Sequence, residues 1–210
     1  TTFGYDAVGN ITSRADGRSK TTTLTYDSQN RLLTETTPLG RVWSYTYDAG
    51  GRLLTRTDAK GQATAYSYTS RNQVGSITYP SGQVTFSYND DGTTASMTDA
   101  TGTTAYAYTA RGELDSVTFP GGRFVDYGYD AAGRRSSLRY PALQGGVGQK
   151  FDYLYDAANR LTAIQSSYGA AATVSFGYDN ANRLTSQAID LPGPDVTSTF
   201  AYDNANRLLS

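Results

Sequence analysis

This 210-residue chain contains no cysteine and no histidine, and only one methionine and one tryptophan. Without cysteine it has neither disulfides nor thiolate metal sites, and the usual general base and the best nucleophile are both missing. Charged residues make up 18% and the net charge is −1. That argues against a nucleic-acid binder, which shows a basic patch or stripe. No apolar run approaches the ~20 residues that a membrane-spanning helix needs, and no signal peptide is visible. The expectation is therefore no catalytic residue, no metal site and no cofactor.

Tyrosine, threonine and glycine are abundant instead, a composition suited to half-buried strands. One spacing recurs: a tyrosine followed four residues later by glycine or asparagine. The pairs are Tyr5/Gly9, Tyr26/Asn30, Tyr47/Gly51, Tyr68/Asn72, Tyr88/Gly92, Tyr108/Gly112, Tyr129/Gly133, Tyr155/Asn159, Tyr178/Asn182 and Tyr202/Asn206. Self-similarity of this kind denotes an array of supersecondary units, each burying its apolar face against its neighbours. We expect one array over 1–210, of about ten copies, with looser copies from about 129 to 210. The pattern is already under way at Thr1 and is inside a fresh copy at Ser210, which leads to the expectation of a fragment of a longer repeat protein.

Two residues before each marker tyrosine stands Phe3, Leu24, Tyr45, Tyr66, Phe86, Tyr106, Tyr127, Tyr153, Phe176 or Phe200, and the residue between is small except at Leu154. Large, small, large is the period-2 signature of a strand with an aromatic face and a thin face. Beyond the tyrosine, an aspartate, two permissive residues and then Gly or Asn predict a type I turn closed by a left-handed residue. The next strand opens on an apolar residue, with Thr94 and Arg135 as exceptions. A second turn follows, as at Pro38-Leu39-Gly40 or Asp58-Ala59-Lys60-Gly61, and later copies insert residues there, at 141–149, 167–173 and 191–197. Insertions confined to one turn place it on the tolerant, exposed edge. Spacings of three, such as Val74/Ile77 and Leu161/Ile164, also admit a helix, but the density of Thr, Ser and Gly disfavours one. A bulge just after the first turn explains the offset equally well.

Aspartate after the tyrosine and arginine after the Gly/Asn occur together in six copies: Asp27/Arg31, Asp48/Arg52, Asp130/Arg134, Asp156/Arg160, Asp179/Arg183 and Asp203/Arg207. Copies four to six lose both, and the first keeps Asp6 opposite Asn10. Joint presence predicts an Asp–Arg contact, across one turn or between neighbouring turns, that sets register more than stability. Each aspartate also reads as a turn former through its own side chain. Calcium ligation fits poorly, because the spacing matches neither the EF-hand loop nor the nonapeptide repeat. Asp90-Asp91 and Asp126/Asp130 are poor hydrolytic pairs, since adjacent turn aspartates do not face each other across a cleft.

The runs Tyr129-Asp130-Ala131-Ala132-Gly133-Arg134, Tyr47-Asp48-Ala49-Gly50-Gly51-Arg52-Leu53-Leu54 and Tyr155-Asp156-Ala157-Ala158-Asn159-Arg160-Leu161 resemble the YD repeat of the Rhs family. That family includes bacterial Rhs polymorphic toxins, the C component of insecticidal toxin complexes, wall-associated toxins and the teneurins. The resemblance covers essentially the whole chain. It implies an all-β fold, an array of antiparallel β-hairpins forming a curved ribbon that is part of a spiral β-shell. In the toxin members the shell sequesters a C-terminal effector, freed at an Asp-Pro-rich boundary. No Asp-Pro dipeptide occurs here, so no catalytic residue is carried over.

The resulting expectation is a non-catalytic structural segment of a shell that encapsulates a toxin or other passenger, secreted or at the cell surface, with the rest of its own chain as principal partner. The alternative is an extracellular adhesion or glycan-binding array, whose tyrosines and lone Trp43 would stack on sugars. Open sheet edges add self-association as a third expectation. Nucleic acid is not expected as a partner, nor is a membrane span.

Overall fold

The computed structural model describes residues 1–140, 148–167, 172–190 and 194–209, so the expected insertions fall largely outside the described residues. Two compact units result, Thr1–Thr103 and Thr104–Ser210. The first carries β1 (Thr2–Tyr5), β2 (Ile11–Ala15), β3 (Thr21–Tyr26), β4 (Leu32–Thr36), β5 (Val42–Tyr47), β6 (Leu53–Thr57), β7 (Ala63–Tyr68), β8 (Val74–Tyr79), β9 (Gly82–Tyr88) and β10 (Thr94–Asp99). The second holds β11 (Gly102–Tyr108) from Thr104 on, and β12 (Leu114–Thr118), β13 (Phe124–Tyr129), β14 (Arg135–Arg139), β15 (Lys150–Tyr155), β16 (Leu161–Ser166), β17 (Thr173–Tyr178), β18 (Leu184–Asp190) and β19 (Val196–Thr199).

Within each unit every strand pairs antiparallel with its sequence neighbour, so the fold is all-β and built from successive hairpins. No helix forms among the described residues. The three-residue spacings come from a bulge instead. Thr25 faces Thr34 and Tyr26 faces Leu32, so Leu33 is the extra residue, and the same slip recurs beside the marker tyrosine from β1–β2 to β17–β18. An inserted residue bends the strand and breaks its strict alternation.

The alternation otherwise sorts the two faces. In β3, Thr22, Leu24 and Tyr26 are shielded while Thr21, Thr23 and Thr25 are exposed. Val117 and Ala163 are the only buried apolar side chains among the described residues, and no side chain is fully buried. Each unit is thus held by strand pairing and repeated side-chain contacts more than by a conventional core.

The second turn sets the period. Thr36 faces Val42 and Thr57 faces Ala63, six positions apart, whereas Thr78 faces Gln83, only five apart. One residue fewer there gives the 20-residue separation of Tyr68 and Tyr88 in place of 21. A second turn that sequence reading missed lies at Asp16, whose Oδ1 accepts the N–H groups of Arg18 and Lys20 while Ser19 takes φ 58°.

Candidate functional site

The first turns stack along one edge of each unit, and the marker residues meet there. Gly9, Asn30, Gly51, Asn72, Gly92, Gly112, Gly133, Asn159, Asn182 and Asn206 all have positive φ, between 62° and 94°. Asn30 N donates to the Asp27 carbonyl at 3.0 Å, closing a type I turn, and the left-handed Asn30 then turns the chain back so that Asp27 N donates to the Arg31 carbonyl at 3.0 Å. Asparagine tolerates that conformation through its short polar side chain.

Each aspartate does two things at once. Asp27 Oδ1 accepts the N–H groups of Gln29 and Arg31 at 2.8 and 3.0 Å, closing its own turn. Its other oxygen, Oδ2, accepts Arg31 Nε at 2.7 Å. All six Asp/Arg copies make this ion pair, at 2.6 or 2.7 Å. Turn forming and ion pairing, which the sequence offers as alternatives, occupy separate oxygens of one carboxylate. In the first copy Asn10 takes the arginine's place, its Nδ2 donating to Asp6 Oδ2 at 2.8 Å. These bonds hold the carboxyls of Asp27, Asp48, Asp156, Asp179 and Asp203 below their ordinary 3.8. The backbone N–H of the following arginine contributes most, and its guanidinium adds to it.

The tyrosine and arginine then join copy to copy. In the first unit, the hydroxyls of Tyr26, Tyr47, Tyr68 and Tyr88 donate to the carbonyls of Ile11, Leu32, Leu53 and Val74 of the preceding copy, at 2.8 to 2.9 Å. In the second, Tyr129, Tyr155, Tyr178 and Tyr202 donate to Leu114, Arg135, Leu161 and Leu184 at 2.9 to 3.0 Å. Over five of these rings lies the arginine of the preceding copy, with Arg31/Tyr47, Arg52/Tyr68, Arg134/Tyr155, Arg160/Tyr178 and Arg183/Tyr202 separated by 4.5 to 4.9 Å from guanidinium carbon to ring centroid. Such contacts are worth about 0.5–1 kcal/mol at exposed sites. Tyr5, 60% exposed, ends β1, and Tyr108 ends β11.

In two of the copies that lack the Asp/Arg pair, the fourth and the sixth, an arginine two residues earlier replaces the link. Arg71 Nη1 donates to the Asp90 carbonyl of the next turn at 2.6 Å, and Arg111 reaches the carbonyls of Asp130 and Ala131 at 3.0 and 3.2 Å. Thr69 and Thr109 close those turns through their hydroxyls in place of an aspartate.

This hairpin with its Asp–Arg–Tyr ladder has relatives. The family described as Teneurin YD-shell matches residues 1–145, and the RHS Repeat matches residues 155–191. The chain belongs to the teneurin YD-shell family. Among solved structures it is similar to crystal structures of TcdB2-TccC3-Cdc42 and TcdB2-TccC3-TEV, each at TM-score 0.59 and 17% identity over 98% of this chain. TcdB2-TccC3 without its hypervariable C-terminal region is also similar, at TM-score 0.58, 18% identity and 98% coverage. At these identities the likeness shows the fold alone, and this chain spans 13% of the length of each of them. No curated protein matches. The YD-shell repeat region is a structural wall.

On the thin face of this YD-shell segment, hydroxyl pairs face each other across four of the hairpins: Thr25/Thr34, Thr46/Thr55, Ser67/Ser76 and Ser87/Ser96, at 2.6 to 2.7 Å. In other copies a glycine faces a serine, as at Gly128/Ser137 and Gly177/Ser186. Trp43 lies half-buried on the aromatic face, opposite Glu35. The suggested carboxylate pairs are engaged elsewhere: Asp126 with Arg139, Asp130 with Arg134, and Asp90 with Arg71. Among the described residues no three acidic side chains converge as a metal site would require.

Proposed function

We propose that this chain is a non-catalytic wall segment, one array of ten copies over 1–210, of a YD-repeat shell that encloses a toxin or other passenger belonging to the same longer protein. The observation that carries the reading is the ladder itself. Its aspartate, arginine and tyrosine side chains are spent on turn closure and copy-to-copy contacts, the use expected of a wall and not of a reacting centre. Family membership adds support for a secreted or cell-surface setting. The neighbours named above combine TccC3 with Cdc42 or TEV, or lack a hypervariable C-terminal region, which supports a variable segment as the passenger.

Limited proteolysis of the full-length protein tests the proposal. The passenger resists cleavage when the wall is intact and becomes accessible when Arg134, Arg160 and Arg183 are replaced by alanine. A passenger cut in the intact protein as fast as in isolation overturns it.

A further inference from the structure

The choice between asparagine and glycine at the left-handed turn position follows the residue that precedes it by one copy. Arg52 Nη1 donates to Asn72 Oδ1 at 2.7 Å, Arg134 to Asn159 at 2.7 Å, Arg160 to Asn182 at 3.0 Å and Arg183 to Asn206 at 2.8 Å. Even Asn10, which stands where the arginine would be, donates its Nδ2 to Asn30 Oδ1 at 2.9 Å. By contrast Gln73 and Glu113 precede glycine turns, at Gly92 and Gly133.

The geometry explains the coupling. In the left-handed conformation the Cβ direction aims at the preceding copy. A Cβ built on Gly51, Gly92 or Gly133 finds, as its nearest neighbour, Arg31 Nη1 at 3.8 Å, Gln73 Nε2 at 3.6 Å or Glu113 Oε1 at 3.4 Å. An asparagine there offers an acceptor to a cation. Glu113 offers no cation to position 133 and is itself an acceptor, its Oε2 taking hydrogen bonds from Thr109 Oγ1 at 2.8 Å and Arg111 Nε at 3.2 Å. Before Gln73 a glycine suffices, because Gln73 Nε2 bonds the Gly92 carbonyl at 2.9 Å. Gly51 departs from the pattern, and there Arg31 keeps only the bond to the Asp48 carbonyl, at 3.1 Å, that Arg160 and Arg183 make to the carbonyls of Asp179 and Asp203 in addition to their asparagine bonds.

We propose that these two positions form a matching pair that fixes which copy can neighbour which. An arginine copy presents a donor surface whose fitting partner is a turn bearing asparagine, and a copy without that donor selects a glycine turn. The asparagine is therefore a specificity determinant between copies as well as a backbone conformer, and this holds whether or not the wall encloses a passenger.

Hydrogen exchange of the full chain tests the pairing. Asn182→Gly speeds exchange of the β16–β17 amides roughly fivefold, the loss expected for one hydrogen bond of about 1 kcal/mol. In an Arg160→Ala background the same change has no effect. Gly51→Asn gives Arg31 the acceptor it lacks and slows exchange in β4–β5, again only while Arg31 is present. Equal responses in the two backgrounds, or faster exchange in Gly51→Asn, overturn the proposal by reducing asparagine to a turn conformer.

Discussion

Arg160 and Tyr178 hold two copies together by three contacts. The guanidinium lies 4.9 Å from the ring centroid, the tyrosine hydroxyl donates to the carbonyl of Leu161 beside Arg160, and Arg160 Nη1 reaches the Asp179 carbonyl beside Tyr178 at 3.0 Å. The ring and the hydroxyl can be separated by substitution. Tyr178→Phe keeps the ring under the cation and loses the hydrogen bond, costing about 0.5–1.5 kcal/mol. Tyr178→Leu removes both and costs more. Urea unfolding of the two variants checks the order.

Arg71 stands in for a ladder arginine from a different turn position. Arg71→Ala should therefore lower the urea midpoint about as much as Arg52→Ala does, although only Arg52 belongs to an Asp/Arg pair. Installing that pair in the same copy, with Thr69→Asp and Gln73→Arg, should recover the loss. An unchanged midpoint in Arg71→Ala would show its bond to Asp90 to be incidental.

Acid should loosen the ladder cooperatively. The aspartates at 27, 48, 156, 179 and 203 have folded-state values below 3.8, so between those values and 3.8 the unfolded chain binds more protons. Their contribution is fully present above 3.8 and is lost as pH falls through the lower folded values. Thermal unfolding should change little from these groups between pH 7 and pH 5 and then weaken steeply below about pH 4. Replacing the five aspartates with asparagine should flatten that acid limb.

The thin face tolerates a side chain opposite serine. A Cβ at Gly177 would land on Ser186 Oγ, the rotatable end of its side chain, and at the matching pair Ala107 already faces Ser116. Gly177→Ala should therefore stabilise by about 0.5–1 kcal/mol through the lost backbone freedom of a glycine in a strand. Urea unfolding checks it, and a midpoint lowered in Gly177→Ala but restored by adding Ser186→Ala would show that the hydroxyl cannot turn aside.

The strand–turn–strand unit is legible in the sequence because its causes are local. The alternation of Leu24, Thr25 and Tyr26 and the left-handed Asn30 each depend on near neighbours. The Asp27/Arg31 contact could be anticipated from joint presence, and it is found within one turn. Two features escaped. The tyrosine hydroxyl reaches a carbonyl 14 to 20 residues back, and Arg71 takes over from a position with no counterpart in the pattern. A signal for the first was present: the marker is tyrosine in every copy, whereas the position two before it varies among Tyr, Phe and Leu. Packing alone would not demand the hydroxyl.

The sequence by itself determined the period, the hairpin, the left-handed turn and the absence of cysteine and histidine chemistry, because these follow from backbone sterics, side-chain alternation and composition. Only the tertiary structure decided what joins the copies. Whether Arg160 meets Tyr178, and whether Asn182 accepts from it, depends on how one hairpin lies against the next. Pairing register and the bulge beside each tyrosine bring those residues together across some twenty residues of chain.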